Sequence, residues 1–290
     1  MAILKTENLD FSYSQGTPFE VKALENINIE IEQGELVAVI GHTGSGKSTL
    51  VQHFNGLLKP TGGRILVDGK DIWESKKSLR ESRFTVGLCF QYPEYQLFEE
   101  TCYRDIAFGP KNMKLSSDEI DRRVRNAASF LGVTDEMLEK SPFDLSGGEK
   151  RRVAIAGVIA MEPKVLILDE PTAGLDPHGR DIILSLIKEY RDNTGSTVLI
   201  VSHSMEDVAA IATRVLVMNE HRVEMFGTVE ETYRQSERLL EIGLDVPQIT
   251  KIFIGLKKKG FPVRTDIYTV EQGEEEMRRL LSLKGGDARG

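Results

Sequence analysis

The octapeptide Gly41-His42-Thr43-Gly44-Ser45-Gly46-Lys47-Ser48 sets three glycines ahead of a lysine and a hydroxyl, the order in which a chain cradles a polyphosphate. Gly41, Gly44 and Gly46 let the backbone close on a phosphate because no Cβ stands in the way. Lys47 supplies a compact positive charge for β and γ phosphates. Ser48 offers the kind of oxygen that ligates Mg²⁺, and Thr49 lies one residue into the following helix. His42, Thr43 and Ser45 complete the loop, and His42 can line the site by its position there. A glycine-rich turn that binds nothing needs neither the apolar strand LVAVI in front of it nor the Lys-Ser pair at its end.

Further along, the apolar run VLILD ends in Asp169 and Glu170. Asp169 is placed to hold Mg²⁺, directly or through water, and Glu170 to orient or deprotonate an attacking water. Standing alone, the pair would read as strand-end charges reaching solvent; the phosphate loop changes that reading. His203 follows another apolar run, TVLIVSH, on the side of an open α/β sheet where ligands bind, which makes it a candidate γ-phosphate sensor. His53, His178 and His221 have no such placement and read as structural or surface residues.

A second anion site is written into Leu145-Ser-Gly-Gly-Glu-Lys-Arg-Arg152. Ser146 can cap a helix, and Gly147 and Gly148 leave backbone N–H groups bare at its N-terminus. Two phosphate cradles on different parts of one compact chain cannot easily grip the same nucleotide. They can grip it from opposite sides if two subunits meet head to tail, each supplying one cradle to a shared site.

These loops need strands and helices to aim them. LVAVI (36–40), VLILD (165–169) and TVLIV (197–201) are continuously apolar, as central parallel strands are; VGLCF (86–90) and RVLVM (214–218) are further strands. ILKTENL (3–9) and the alternating INIEI (27–31) read as a small antiparallel part. The stretch from about 104 to 161 is mostly helical, within an inserted subdomain spanning about 92–161. In it, Ser116 or Ser117 with Glu119 reads as a capping box before Ile120, Val124, Ala127, Ala128 and Leu131 at helical spacing. The expected fold is α/β, a phosphate-loop core with an antiparallel β subdomain, an inserted α-helical subdomain and a C-terminal helical extension.

That extension begins near 228, so the expected domains are 1–227 and 228–290. QITKIFIGLKKKG puts Ile249, Ile252, Phe253 and Leu256 on one face with Gly260 as a stop; TVEQGEEEMRRLLSL is a second amphipathic helix. The two helices read either as an extension packed on the core or, because two short helices bury little by themselves, as a dimerisation module, and the terminal KGGDARG is expected to be disordered.

The whole chain has 290 residues and a net charge of −8, which argues against nucleic acid as the principal ligand. Mean hydropathy is −0.25, no apolar run is long enough for a membrane span, and the N-terminus lacks an apolar signal core, so a cytosolic location is expected. Cys89 and Cys102 read as small buried hydrophobes.

Together GHTGSGKS, Gln91, LSGGE, LILDE, GLD and His203 resemble the ATP-binding cassette family of ATPases, over about residues 3–227. The resemblance implies ATP and Mg²⁺ as cofactors. It implies that Tyr13 stacks on adenine, and that Gln91 heads a loop touching both Mg²⁺ and a membrane partner. Ser146, Gly147 and Gly148 would meet the γ-phosphate of the opposing subunit, Asp176 would lie in a loop coupling the two sites, and Glu170 would be the catalytic base. FQYPEYQLFEETCYRDIAFGPKN (90–112), the His-Thr pair and the C-terminal helices are similar to the second ATPase type of energy-coupling factor importers of vitamins, cobalt or nickel. That implies a second ATPase, a scaffold membrane protein contacted through about 91–108, a substrate-binding membrane protein, and residence on the cytoplasmic face of the membrane. From the residues themselves, Tyr92, Tyr95, Leu97, Phe98 and Phe108 either pack the subdomain hinge or form a groove for a helix of a membrane partner, with Glu94, Glu99 and Glu100 facing basic groups on it; the resemblance favours the groove. The alternatives are an ATPase of another cassette transporter class, or a soluble DNA-repair relative. The latter would carry a long coiled coil between 48 and 145, and no sustained heptad run lies there.

Overall fold

The computed structural model describes residues 2–286. Strands β1 (Ala2–Tyr13) and β2 (Val21–Glu32) pair antiparallel. In β2, Ile27, Ile29 and Ile31 are buried while Asn28 and Glu30 are exposed, because one face of this sheet covers the core and the other meets water. β3 (Leu36–Gly41) enters the interior, and α1 (Lys47–Phe54) starts directly after the glycine loop. β4 (Gly62–Val67) and β5 (Lys70–Asp71) complete an antiparallel sheet of order β2-β1-β4-β5. The chain continues through α2 (Lys76–Thr85), β6 (Val86–Cys89) and a 3-10 turn at Pro93–Gln96. Four helices are inserted next: α3 (Cys102–Asn112), α4 (Ser117–Phe130), α5 (Asp135–Glu139) and α6 (Gly147–Ile159).

β7 (Val165–Asp169), α7 (Pro177–Thr194), β8 (Thr197–Val201), α8 (Met205–Ile211), β9 (Arg214–Asn219) and β10 (Arg222–Thr228) finish the core. Among the described residues the second sheet has the order β10-β9-β3-β8-β7-β6, parallel except for the edge strand β10. The two-residue period of a strand sorts its apolar runs onto two cores. Leu36, Ala38 and Ile40 join Leu166, Leu168, Val198 and Ile200 on the face that α3–α6 cover. Val37 and Val39 join Ile167, Leu199 and Val201 on the face roofed by α1 and the antiparallel sheet. Cys89 and Cys102 are both buried, unpaired and apolar in setting.

Several local expectations change. Ser116 does cap α4, accepting from Glu119 N–H, but the Glu119 carboxylate turns to Arg122 and Arg123, so the reciprocal half of a capping box is not made. β4, β5 and β10 had no sequence expectation. Of the acidic groups expected to face a partner, one turns inward. Glu94 is only 14% exposed and forms a two-pronged ion pair with Arg151, which is 4% exposed, at 2.8 and 3.1 Å. Glu100 pairs with Arg104, and Leu97 is buried.

The C-terminal extension contains α9 (Val229–Arg234), α10 (Ser236–Glu241), α11 (Gln248–Lys258) and α12 (Val270–Gly286). Tyr233 is fully buried, donates to Met205 O at 2.9 Å and stacks on Tyr268. Phe253, Val263, Ile267 and Leu280 form a small core of their own. Ile252 is not on that buried face: it is 56% exposed, since Ile249, Phe253 and Leu256 fall on one helical stripe and Ile252 lies at its edge. Lys284–Gly286 continue α12, and the rest of the expected disordered tail lies outside the described residues. Among the described residues, no helix is long and apolar enough to cross a membrane.

The Arg151–Glu94 pair gives a stability prediction. Burial alone would raise the Glu94 pKa, but the hydrogen bond and charge of Arg151 overcome it, and the net is a value held below the usual carboxylate range. The pair's contribution is therefore fully present above the ordinary Glu pKa and is lost as pH falls through the lower folded value. Glu94→Ala should cost on the order of 3–5 kcal/mol because it leaves a buried guanidinium unanswered, read as a fall in the denaturant midpoint at neutral pH. The deficit relative to the wild type should shrink on acidification.

Candidate functional site

The loops that follow β3, β6, β7 and β8 gather at the carboxyl edge of the parallel sheet. They frame a cleft of about 520 Å³ whose wall includes Tyr13, Thr43, Gly44, Gly46, Lys47, Ser48, Thr49, Gln91, Glu170 and His203. A second cavity, of about 450 Å³, lies at the opposite edge of the sheet between Phe130, Ile159 and Tyr190 and brings together no such set.

The phosphate loop owes its path to its glycines. Gly41 has a φ of 154°, and a Cβ there would stand 2.3 Å from Met218 O. Gly46 has a φ of 102°, and a Cβ there would stand 2.4 Å from Ala23 O. Gly44, with a φ of 82°, faces open space. Lys47 is 6% exposed and its ammonium donates to Gly41 O at 2.7 Å and His42 O at 2.9 Å. Burial pushes its pKa down, and the charges of Glu170 and Asp169 oppose that. Ser45 Oγ is buried without a hydrogen-bond partner. An orphaned hydroxyl, an open glycine and bare N–H groups at the start of α1 fit an anion, and a phosphate group answers all three.

Asp169 is 8% exposed. Burial pushes its pKa up, a hydrogen bond from Ser48 opposes this, and the neighbouring Glu170 charge adds to the rise. Two adjacent carboxylates beside a serine hydroxyl are hard oxygen donors of the sort Mg²⁺ takes together with substrate phosphates. Among the described residues no group of three or more His, Cys, Asp or Glu forms a cage that would hold a metal without such help.

Glu170 sits in the left-handed region with a φ of 51°, its N–H donating to Val201 O at 3.0 Å. A non-glycine residue there is strained, and the strain turns the side chain out of the strand line into the cleft. Gln91 donates to Glu170 Oε2 at 2.7 Å, and His203 Nε2 lies 2.9 Å from Oε1. Three residues named separately from the sequence thus meet at one carboxylate. Tyr13 is 41% exposed at the cleft mouth, its hydroxyl 3.1 Å from Thr49 Oγ1 and its ring edge-on to Phe11.

Other named residues stand elsewhere. His42 does not line the cleft; its ring turns away to the carbonyl of Ile242. Ser146 caps α6 in a full capping box with Glu149, and Ser146, Gly147 and Gly148 are exposed and outside the cleft. Asp176 caps α7 by accepting from Gly179 N–H at 2.6 Å, also outside the cleft. His53 is fully buried against Phe11 and His178 is exposed on α7. His221, in contrast to its sequence reading, lines the cleft with Val21, Lys22 and Ala23. It is delivered by the β9–β10 turn, where Glu220 and His221 both have positive φ. The only sequence signal would have been a tight turn after RVLVM, which gives no hint of what the turn lies against.

Gly46→Ala should abolish nucleotide binding while leaving the far cores intact, because the new Cβ would collide with backbone rather than with a flexible side chain. Near-normal affinity in a calorimetric titration with ATP would contradict the loop geometry described above.

The sequence profile described as ABC transporter matches residues 24–173. The energy-coupling factor transporter ATP-binding protein EcfA2 of Caldanaerobacter subterraneus is 54% identical, over 96% of this chain and 97% of its own length. EcfA2 of Clostridium perfringens is 55% identical, over 96% of this chain and 98% of its own. Among solved structures, cbiO1 from Clostridium perfringens, part of the ABC transporter complex cbiONQ, superposes with a TM-score of 0.73 at 45% identity, covering 87% of this chain and 98% of that one. The ATP-binding cassette MJ0796, a dimer in a post-hydrolysis state bound to ADP and Pi, gives a TM-score of 0.70 at 28% identity, with 78% of this chain and 98% of that one covered. The cleft and these likenesses agree, and the chain belongs to the ABC transporter ATPases, in the family of energy-coupling factor ATP-binding proteins.

Proposed function

We propose that this chain is the ATP-hydrolysing subunit that powers an importer of the energy-coupling factor type, by ATP-driven closure of a head-to-tail pair of ATPases. The observation that carries the pairing is the separation of the two cradles: the Ser146 helix start is exposed and outside the cleft that holds Lys47. Its bare N–H groups are then free for a nucleotide held by a second chain. The dimeric form of the 28% identical cassette MJ0796 supports this reading.

In this scheme Gly41–Thr49 wrap the phosphates, Lys47 moves its ammonium from loop carbonyls to phosphate oxygens, and Tyr13 stacks on the base. Mg²⁺, held by Ser48, Asp169 and Gln91, would offset phosphate charge when bound. Glu170 aligns and deprotonates water for in-line attack, while Gln91 and His203 hold its carboxylate in place. Loss of the γ-phosphate removes the bridge between Lys47 of one chain and Ser146 of the other, and the pair opens. Asp176 lies in the loop that couples the two sites. Residues 1–227 form the nucleotide-binding unit and 228–290 a dimerisation extension, a role that the exposed Ile252, Val270 and Leu281 suit.

The partners are a second cassette ATPase, identical or related, a scaffold membrane protein and a substrate-binding membrane protein. The scaffold would dock on Tyr95, Phe98 and Phe108, which are 84%, 59% and 46% exposed, placing this chain on the cytoplasmic face of the membrane. The cargo class that the resemblance implies, vitamins or cobalt and nickel, is bound by another polypeptide.

Tagged chain recovered from detergent-solubilised host membranes should bring with it a second cassette ATPase and two membrane proteins, identified by mass spectrometry. Recovery of soluble proteins alone would overturn the transporter reading and leave the ATPase assignment standing. Glu170→Gln should lower turnover by about 10²-fold or more while keeping ATP affinity; brisk hydrolysis would remove Glu170 from the role of base.

A further inference from the structure

The phosphate loop is tied to the C-terminal extension by a single side chain. His42 reaches from the loop to Ile242, at the end of α10, with Nε2 hydrogen-bonded to the Ile242 carbonyl. The approach is close enough that a side chain at the next position would crowd the ring. Gly243 has a φ of 74°, and a Cβ there would stand 3.2 Å from both Cε1 and Nε2 of the His42 ring. The same residue also supports the catalytic lysine through its main chain, since Lys47 Nζ donates to His42 O at 2.9 Å. The extension is anchored on the far side of the site as well. Gln248 N–H donates to Glu206 Oε1 at 3.1 Å and Tyr233 to Met205 O at 2.9 Å, both on the helix that follows His203.

We propose that His42 is a positioning residue: its imidazole fastens the phosphate loop to the extension at Ile242, so that the extension holds the loop in the form that receives nucleotide. A loop with three glycines at positive φ has many alternative conformations, and a tether that removes them lowers the ordering cost of binding. The inference rests on the assignment of Gly41–Ser48 to the nucleotide phosphates. Coupling of this kind is reciprocal, so bound nucleotide must steady the extension in return.

The test compares the wild type with His42→Ala, His42→Gln, Gly243→Ala and Lys47→Ala. Each is titrated with the methylanthraniloyl derivative of ATP, after thermal melting has verified folding. His42→Ala should weaken binding about fivefold, the worth of one hydrogen bond. His42→Gln should restore it, because a glutamine amide can donate to the same carbonyl. Gly243→Ala, which leaves the histidine in place but crowds its ring, should weaken binding too. In the wild type, hydrogen exchange at the Gly243 and Leu244 amides should slow when nucleotide is added. Unchanged affinity in His42→Ala, a glutamine variant no better than alanine, or exchange at 243–244 indifferent to nucleotide would each overturn the proposal. Lys47→Ala reports separately on the underlying assignment: intact ATP binding there would remove the loop from the phosphates, whatever the histidine does.

Discussion

An ammonium ion taken out of water has to be answered by oxygen, and Lys47 is the place where this protein meets that demand. Burial lowers its pKa, the charges of Glu170 and Asp169 oppose that fall, and two loop carbonyls accept hydrogen bonds from the ammonium. To supply those carbonyls the backbone must curl back on the lysine, and it can do so because Gly41 and Gly46 occupy conformations and spaces closed to a side chain. To supply the carboxylates β7 must end beside β3's loop, and the parallel sheet arranges this with β8 lying between β3 and β7. A polyphosphate would answer what the loop leaves open: Ser45 Oγ has no hydrogen-bond partner, and burial raises the pKa of Asp169 above the usual carboxylate value.

The site is joined mechanically to the surface that would meet a membrane partner. Arg151 on α6 binds Glu94 in the turn after Gln91 and also donates to the carbonyls of Pro171 and Ala173, just beyond Glu170. One buried guanidinium thereby spans the helical insert, the turn beside the exposed Tyr95, and the segment after Glu170. A parallel link runs from Thr172 to Asp207, which Arg180 also engages, behind His203. Breaking the buried Arg151–Glu94 pair would leave an uncompensated charge, so the pair favours keeping these segments together. With Glu94 committed inward, the outward face of 92–108 keeps the exposed aromatics Tyr95, Phe98 and Phe108 beside Glu100.

Much of this was legible in the sequence where a local pattern had a local cause. Continuous apolar runs such as LVAVI mark strands buried on both faces, and the Gly-Lys-Ser spacing carries its own mechanism, since backbone and side chain act within eight residues. The legibility fails where partners come from afar. Glu94 looked like a surface acid because its neighbours are aromatic and acidic; Arg151, which decides its fate, is remote in sequence. His221 reaches the cleft only because β10 folds back on β9. The short strands β4, between β1 and β5, and β5, at the sheet edge, offer too few apolar residues in the sequence to mark them, because sheet pairing rather than burial on both faces holds them. Ile252 failed for a subtler reason, as a residue at the margin of a helical stripe is buried only if the neighbouring element is wide enough to reach it.

The central claim is that the two phosphate cradles serve one nucleotide only across a subunit boundary. Its most direct test is the ATP affinity of a Ser146→Arg chain, measured on the dilute single subunit and set beside ATP hydrolysis by the assembled complex carrying the same change. Unaltered affinity in the single subunit together with lost hydrolysis in the assembly is the result predicted by a cradle that acts on the partner's nucleotide. A fall in affinity in the single subunit, matching the loss of hydrolysis, would place both cradles on one chain's own nucleotide and contradict the account.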